Sequence, residues 1–387
     1  MALLAMCSGL PLDGRPRDAL AAEPLRDHLL LTLAAPGPNN IVGVNLARRK
    51  QPDYIWAASD LANANGGAWG YVTVVWTAAE RDAPRSGYIL QEFLDRCYEA
   101  RLQPIVRVST RFDEDTGIWD KPTMDDPALW RAFLEKGRWP ARRVWVIPAN
   151  EPNLGREWGG AVDAAEYARY LDRFLDAFAS SPRFKVVNAP LDVSNGSDMP
   201  RMQDAFEFLA DVEAAEPGVF ERLSAWASNP YRAPSLDGGL RYTHQAYEAE
   251  LAHIGRDLPV ILTEAGYIHP PSDEAVAEFF IEAFRDWQAD PRVIAVTPLF
   301  WHPDDGGDWL FELDRHGKLA RTSPTYDRLL GLPRTAGSPE FAPLLENSPR
   351  LAEVIEPNRA DGPVLPPPVF SPRRVGAEGA ALRETAR

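Results

Sequence analysis

The sequence predicts an α/β fold of the (β/α)8 barrel type in a single domain, and three observations carry that expectation. Between residues 40 and 332, eight apolar runs of strand length alternate with eight segments of helical period. Such alternation implies parallel strands joined by right-handed crossovers. Eight units in just under 300 residues match a barrel of about 250 residues with insertions. The third observation concerns the competing open, doubly wound sheet. That fold advertises a glycine-rich first turn for a nucleotide. The turn after the first strand here is Ala47-Arg48-Arg49-Lys50, without glycine, and no phosphate-loop sequence occurs elsewhere.

In chain order, the strands are expected at residues 41–46, 71–76, 104–109, 144–149, 184–189, 223–228, 260–263 and 293–300. Each is mostly apolar, with Val, Ile, Leu or aromatic residues in every run. This is how the strands of a buried parallel sheet read. The helices are expected at residues 54–65, 88–101, 127–136, 164–179, 202–215, 244–254, 273–288 and 325–330. The fourth shows the logic best: Tyr167, Tyr170, Leu171, Phe174, Leu175 and Phe178 recur at helical spacing and mark one buried stripe. After the eighth strand, 309–313 and 318–319, joined by Asp314-Arg315-His316-Gly317, read as a hairpin over the mouth.

Both termini lie outside this pattern. Residues 1–39 read as a loose extension, with 29–35 as a weak signal-like apolar core after Arg15, Arg17 and Arg26. Residues 333–387 form a Pro-rich tail, including Pro366-Pro367-Pro368, in which long helices and central strands are forbidden. Such a tail drapes over the domain or stays disordered.

Composition narrows the function classes. The chain has 387 residues, 45% of them hydrophobic and 25% charged, as in ordinary globular proteins. A net charge of −15 argues against nucleic acid as partner and disfavours an anionic membrane surface. No run is long enough for a membrane span. Cys7 and Cys97 are the only cysteines, so neither a disulfide framework nor a cysteine-rich zinc site is available. The compartment stays open between cytoplasm and export, with the cytoplasm favoured, and so does the oligomeric state.

The chemistry is concentrated in two segments, Val144-Trp145-Val146-Ile147-Pro148-Ala149-Asn150-Glu151-Pro152 and Leu258-Pro259-Val260-Ile261-Leu262-Thr263-Glu264-Ala265-Gly266-Tyr267. Each is an apolar run that ends in a glutamate. The C-terminal tips of barrel strands are where such folds keep their active sites. Glu151 ends the fourth strand and Glu264 the seventh, which face one another across a barrel mouth. Cleaving a glycosidic bond needs a proton donor for the leaving oxygen and a nucleophile or base on the sugar's other face. Two carboxyl groups supply both roles when their surroundings keep one protonated and the other ionised.

With these marks in place, the chain resembles the clan A glycoside hydrolases, the (β/α)8 group that includes cellulases, mannanases and β-xylosidases. The resemblance rests on Asn150-Glu151-Pro152, Thr263-Glu264-Ala265-Gly266, Asn229-Pro230-Tyr231 after strand six and Phe300-Trp301 at the end of strand eight. It spans roughly residues 40–332 and assigns neither a family within the clan nor a sugar. It implies a retaining glycosidase for β-glycosidic bonds, with a carbohydrate as partner and no metal or organic cofactor. Glu151 would be the acid/base and Glu264 the nucleophile. Asn150 would bind the sugar's 2-hydroxyl, Tyr231 would hydrogen-bond Glu264, and Trp301 would floor the site. A non-catalytic carbohydrate-binding barrel and a transglycosylase are the alternatives.

Two positions depart from the clan pattern. Trp76 stands where many members have an Arg at the end of strand two, and Asn229 stands where cellulases often have His. Arg107 on strand three either takes over the role of the missing Arg or forms a structural ion pair. Trp76, Trp119, Trp158 and Trp309 lie near strand-tip loops and are candidates for stacking on sugar. Trp56, Trp130 and Trp287 lie within helices and read as core. Asp113, Glu114 and Asp115 read as a solvated loop. Residues 302–308, rich in Asp and Gly, read as a polar loop rather than a calcium site, since their spacing matches no known ligand pattern.

Overall fold

Eight parallel strands form two runs. The computed structural model describes residues 39–141, 143–193, 201–233, 239–299 and 310–337. The chain divides into two units, Met1–Gly37 and Pro38–Arg387, and every described residue belongs to the second. The expectations for the N-terminal extension, for the tail beyond residue 337 and for residues 300–309 lie outside the described residues.

The first run holds β1 (Gly43–Asn45), β2 (Gly70–Thr77), β3 (Leu102–Ser109), β6 (Val144–Ile147) and β7 (Phe184–Val186), hydrogen-bonded in that order. The second holds β8 (Trp226–Ser228), β10 (Val260–Leu262) and β12 (Val293–Val296), with β10 in the middle. Each of the eight expected strands is present, most of them shorter than expected. The ladder stops where the chain turns out to build loops, so the last apolar residues of several runs leave the sheet.

Parallel contacts also link the two runs at both seams. Val42 bridges Val296 and Asn45 bridges Leu299 between the β1 and β12 segments. At the other seam Asp192 bridges Asn229. Below it, the Asn188 carboxamide takes the place of a backbone partner. Its Nδ2 donates to the Ala227 carbonyl at 2.8 Å and its Oδ1 accepts from the Ala227 amide at 2.7 Å. A carboxamide can do this because it carries the same donor and acceptor as a peptide group.

The period of two along each strand separates two cores. Tyr71, Ile105, Trp145, Ile147, Val187, Ala225, Ala227, Ile261 and Ala295 pack together as one cluster on the inner face. Their neighbours, among them Val72, Val74, Val106, Val108, Val144 and Val146, belong to the larger core under the helices. Those helices are α1 (Pro52–Ala62), α3 (Ser86–Glu99), α4 (Asp126–Leu134), α5 (Ala164–Phe178), α6 (Ala205–Ala215), α7 (Ala246–Ile254), α8 (Asp273–Ala289) and α9 (Pro324–Leu330). A short α2 (Ala78–Asp82) comes directly after β2, started by a capping box in which Thr77 and Glu80 bond reciprocally. Periodicity missed it, because five residues show no period. Among the described residues no helix is long and apolar enough to cross a membrane.

Two short hairpins flank the strand ends. The expected one is present as β13 (Phe311–Leu313) and β14 (Leu319–Thr322), antiparallel. Gly317 at φ 73° closes its turn, a conformation that glycine adopts without strain. The second comes after β3, where β4 (Phe112–Asp113) pairs with β5 (Ile118–Trp119); Glu114 and Asp115 lie exposed in its turn, as expected of a solvated loop, and Asp113 ends its first strand. Its rings Phe112 and Trp119 stand 5.0 Å apart, and this contact supplies the apolar reason for a hairpin amid charges. Two further strands, β9 (Tyr231–Arg232) and β11 (Gly266–Tyr267), pair in parallel beyond β8 and β10.

One buried carboxyl belongs to the fold rather than to the strand tips. Glu250 of α7 is fully buried and accepts the Trp226 indole N–H at 2.6 Å. Burial pushes its carboxyl up to about 7, the Trp226 bond opposing in part. A carboxyl raised in the folded state binds its proton more tightly there than in the unfolded chain. It therefore stabilises the fold in full below the ordinary value of 4.5, and that contribution is lost as pH rises to about 7. Glu250→Gln removes the loss. Its stability relative to the wild type is expected to rise by about 3 kcal/mol between pH near 4 and pH near 8, measured by urea unfolding. An equal difference at both pH values would contradict the assignment.

Candidate active site

The residues at the ends of β3, β6, β8 and β10 converge on Glu151 and Glu264. Arg107, with the same strand parity as the inner-core Ile105, lies opposite Ile147, the last residue of β6. Its guanidinium is buried. Nη1 donates both to Oε1 of Glu264 and to Oδ1 of Asn150, the latter at 2.7 Å. Burial works against the Arg107 charge. The attraction of Glu264, then of Glu157 and Glu151, more than offsets it and holds the group above its ordinary range.

Glu264 follows β10 by two residues and is 6% exposed. Its Oε1 pairs with Arg107, and its Oε2 accepts the Tyr231 hydroxyl at 3.0 Å. Tyr231 is aimed from β9, which lies beside β11 immediately after Glu264. The backbone beneath is tied down as well: Asn45 Nδ2 donates to the Thr263 carbonyl at 2.8 Å, and the Thr263 hydroxyl donates to Asn229 at 2.7 Å.

Glu151 has different surroundings. It is 7% exposed and sits at φ 35°, in the left-handed region that non-glycine residues rarely enter. Strain of this kind costs on the order of 1 kcal/mol and persists only where neighbours over-determine the backbone. Here the Glu151 amide donates to the Pro190 carbonyl at 2.9 Å, and its carbonyl accepts from Leu154 at 2.8 Å. The fully buried Asn229 donates to Oε1 at 2.9 Å. Burial first, then the charges of Asp192, Glu264 and Glu157, push the Glu151 carboxyl well above the usual carboxylate range; the Asn229 bond pulls the other way. Arg156 approaches Oε2 only to 4.0 Å from an exposed position.

Glu157 and Asp192 were not legible as site residues in the sequence. Glu157 lies in a single 3-10 turn, Gly155–Glu157, beyond Glu151. Neither residue ends an apolar run or falls in a motif. Burial, then other charges including Glu264, raises the Glu157 carboxyl, while Arg156 and Arg107 pull it down.

The tryptophans divide. Trp76 stands one residue before the end of β2, but its side chain is packed into the core under the helices, against the expectation that it binds substrate. It occupies the outward parity of β2, is fully buried, and packs edge-on against Phe93 of α3 and Phe133 of α4. The Lys50 ammonium lies over its ring at 4.8 Å. Trp158 is likewise core, set edge-on against Tyr167 and Tyr170. Trp130 and Trp287 are core as expected, whereas Trp56 is 37% exposed on α1. Trp119 is half-buried beside Phe112, with Arg48 over both rings. Trp301 and Trp309 lie outside the described residues. Among the described residues no group of three or more His, Cys, Asp or Glu is arranged to hold a metal ion.

No protein-family model matches the chain, and no curated protein matches it in sequence. Solved structures do. An endo-beta-1,4-glucanase from Xanthomonas axonopodis pv. citri is 12% identical over 75% of this chain and 97% of its own, with a TM-score of 0.50. The catalytic domain of an endo-beta-1,4-mannanase from Bacillus sp. JAMB-750 is 12% identical over 76% and 85%, with a TM-score of 0.49. An endo-beta-1,3-glucanase from Sorangium cellulosum is 17% identical over 76% and 98%, at 0.48. At such identities the likeness to the Xanthomonas enzyme is one of fold: this chain has a fold that a glycoside hydrolase carries.

Two outcomes follow from the site's geometry. Asn229→Ala removes a bond made to the ionised form of Glu151, so the Glu151 carboxyl should titrate at higher pH than in the wild type, followed by carboxyl 13C NMR. A shift to lower pH would contradict the contact. Arg107→Met leaves Glu264 buried without its counter-charge and should cost about 3–5 kcal/mol of stability near neutral pH, measured by urea unfolding. A loss below about 1 kcal/mol would mean that the pair is solvated.

Proposed function

We propose that this protein is a retaining glycoside hydrolase acting on β-glycosidic bonds, on a closed (β/α)8 barrel spanning residues 40–332. The contrast between its two strand-end glutamates carries the reading. Glu264 is paired with a guanidinium and takes a tyrosine hydroxyl bond. Glu151 is buried among other carboxylates with a single amide donor close by, and its proton is held to high pH. Two carboxyls whose surroundings push them apart are the arrangement that acid and nucleophile roles require. The parallel bridges at both seams support closure of the sheet, and the glucanase-like fold supports the class.

The chemistry runs in two steps. In the first, the Glu264 carboxylate attacks the anomeric carbon. The bond to the leaving oxygen breaks, and that oxygen takes the Glu151 proton. The product is a glycosyl ester on Glu264. In the second, Glu151, now ionised, takes a proton from water; the resulting hydroxide attacks the anomeric carbon and frees Glu264. Arg107 and Tyr231 aim the nucleophile, and Asn150 faces the sugar's 2-hydroxyl. Trp301 is proposed as the floor. Two inversions at one carbon leave the anomeric configuration unchanged.

The decisive experiment uses Glu264→Ala. The variant should lose hydrolysis of an active aryl β-glycoside by at least about 10³-fold. Added azide should restore turnover and yield the α-glycosyl azide, identified by proton NMR. Full activity in the variant, or a β-linked azide product, would remove Glu264 as nucleophile.

A further inference from the structure

We propose that Arg156 and Arg48 form a subsite for a uronic acid residue of the substrate, on the leaving-group side of the scissile bond. This rests on the glycosidase reading for its place in the reaction, though not for the recognition of a carboxylate. The Arg156 guanidinium lies 4.0 Å from Oε2 of Glu151 and 3.4 Å from Oε1 of Glu157, and its side chain is 61% exposed. Both separations exceed the roughly 2.7–2.9 Å of a charge-assisted hydrogen bond, so its N–H donors are open to an incoming anion. The turn that presents it is fixed. The Gly155 amide donates to the Arg201 carbonyl at 2.7 Å, and a Cβ at Gly155 would meet Arg201 at 2.9 Å. Trp158 anchors the other end of the turn in the core, edge-on to Tyr167 and Tyr170.

Arg48 comes from the turn after β1. Ala47 there is at φ 50°, and its amide donates to Oδ1 of Asn45 at 2.8 Å. The same Asn45 side chain bonds the Thr263 carbonyl, so this turn is tied to the strand end that carries Glu264. The Arg48 guanidinium lies over Phe112 and Trp119, at 5.7 and 6.0 Å from the ring centroids. A guanidinium laid over rings keeps its N–H edges for an anion. The hairpin then joins the two cations. Its strand β5 packs on the 3-10 turn of Arg156, and the Trp119 carbonyl accepts the Gly159 amide at 3.0 Å.

In a chain with 56 acidic and 41 basic side chains, carboxylates are at hand for a cation. Other arginines near the strand ends take them: Arg107 pairs with Glu264, Arg241 with Asp204 and Arg111 with Asp120. Among the described residues Arg48 has no carboxylate partner, and its contacts are the two rings. The hairpin's own acids do not fill the place. Asp120 is engaged by Arg111, and Asp113, in register with Ile118, faces away from the side that carries Phe112 and Trp119. Glu151 protonates the leaving oxygen in the proposed reaction, so a cation beside its carboxyl borders the departing sugar. A planar sugar carboxylate accepts two parallel N–H bonds from a guanidinium, whereas a neutral hydroxymethyl group offers one oxygen and no charge.

Binding separates this from catalysis. In the full-length protein carrying Glu151→Gln to stop turnover, affinities are measured by titration calorimetry for two matched pairs: a β-1,4-glucuronan tetrasaccharide against cellotetraose, and a β-1,4-mannuronan tetrasaccharide against mannotetraose. Within each pair the sugars differ only in the carboxylate at C6. In at least one pair the acidic member should bind at least about 10-fold more tightly at 0.05 M salt, with the ratio falling to within about 3-fold at 0.5 M. Adding Arg156→Ala or Arg48→Ala should each remove most of that preference, and the double substitution should abolish it, whereas Arg156→Lys should keep part. Equal affinities within both pairs, no binding of either acidic tetrasaccharide, or a preference that survives the double substitution would overturn the subsite. A wild type that hydrolyses the neutral tetrasaccharides while the acidic ones show no binding advantage leaves the glycosidase reading standing and refutes only the subsite. A wild type that binds an acidic tetrasaccharide through both arginines but cleaves no glycoside keeps the subsite and refutes the glycosidase reading.

Discussion

A guanidinium buried at the end of β3 organises the strand tips. Arg107 cannot be deprotonated at ordinary pH, so its burial obliges the surroundings to supply negative charge. Glu264 meets that demand directly, and Asn150 takes a second bond from the same nitrogen. Three strands, β3, β6 and β10, are therefore joined at their tips through one cation. The Tyr231 hydroxyl then completes Glu264 from the far side.

Glu151 is defined by being left out of that arrangement. The cation is spent on Glu264, and the nearest other, Arg156, stays exposed at 4.0 Å. What remains around Glu151 is burial, three other carboxylates and one amide donor. The same two residue types, at equivalent strand ends, acquire opposite character from where a single arginine falls.

The Trp76 and Arg107 pair shows why one expectation failed and another position filled the gap. Both lie in mostly apolar runs, and composition does not say which face is which when a strand is buried on both sides. Parity decides it. Trp76 is out of phase with the inner-core Tyr71 and ends up under the helices, while Arg107 is in phase with Ile105 and ends up bonded to Asn150 and Glu264. The short hairpin β4–β5 and the helix α2 escaped for a different reason: neither is long enough for a period to be read. Glu157 and Asp192 escaped because nothing local distinguishes them. Their roles come from neighbours far away in the chain.

The order of strands and helices, the placement of glutamates at the ends of the fourth and seventh runs, and the burial of both sheet faces were set by the sequence alone, because apolar periodicity is a local property of the chain. Which glutamate pairs with the buried cation, and which is left among other carboxylates, was decided only in three dimensions. That depends on the distances from Arg107, Tyr231, Asn229 and Glu157, residues brought together by strand register and parity. Electrostatic energy falls with distance in space, not with separation in sequence, so the character of each carboxyl became definite only when the strand tips met.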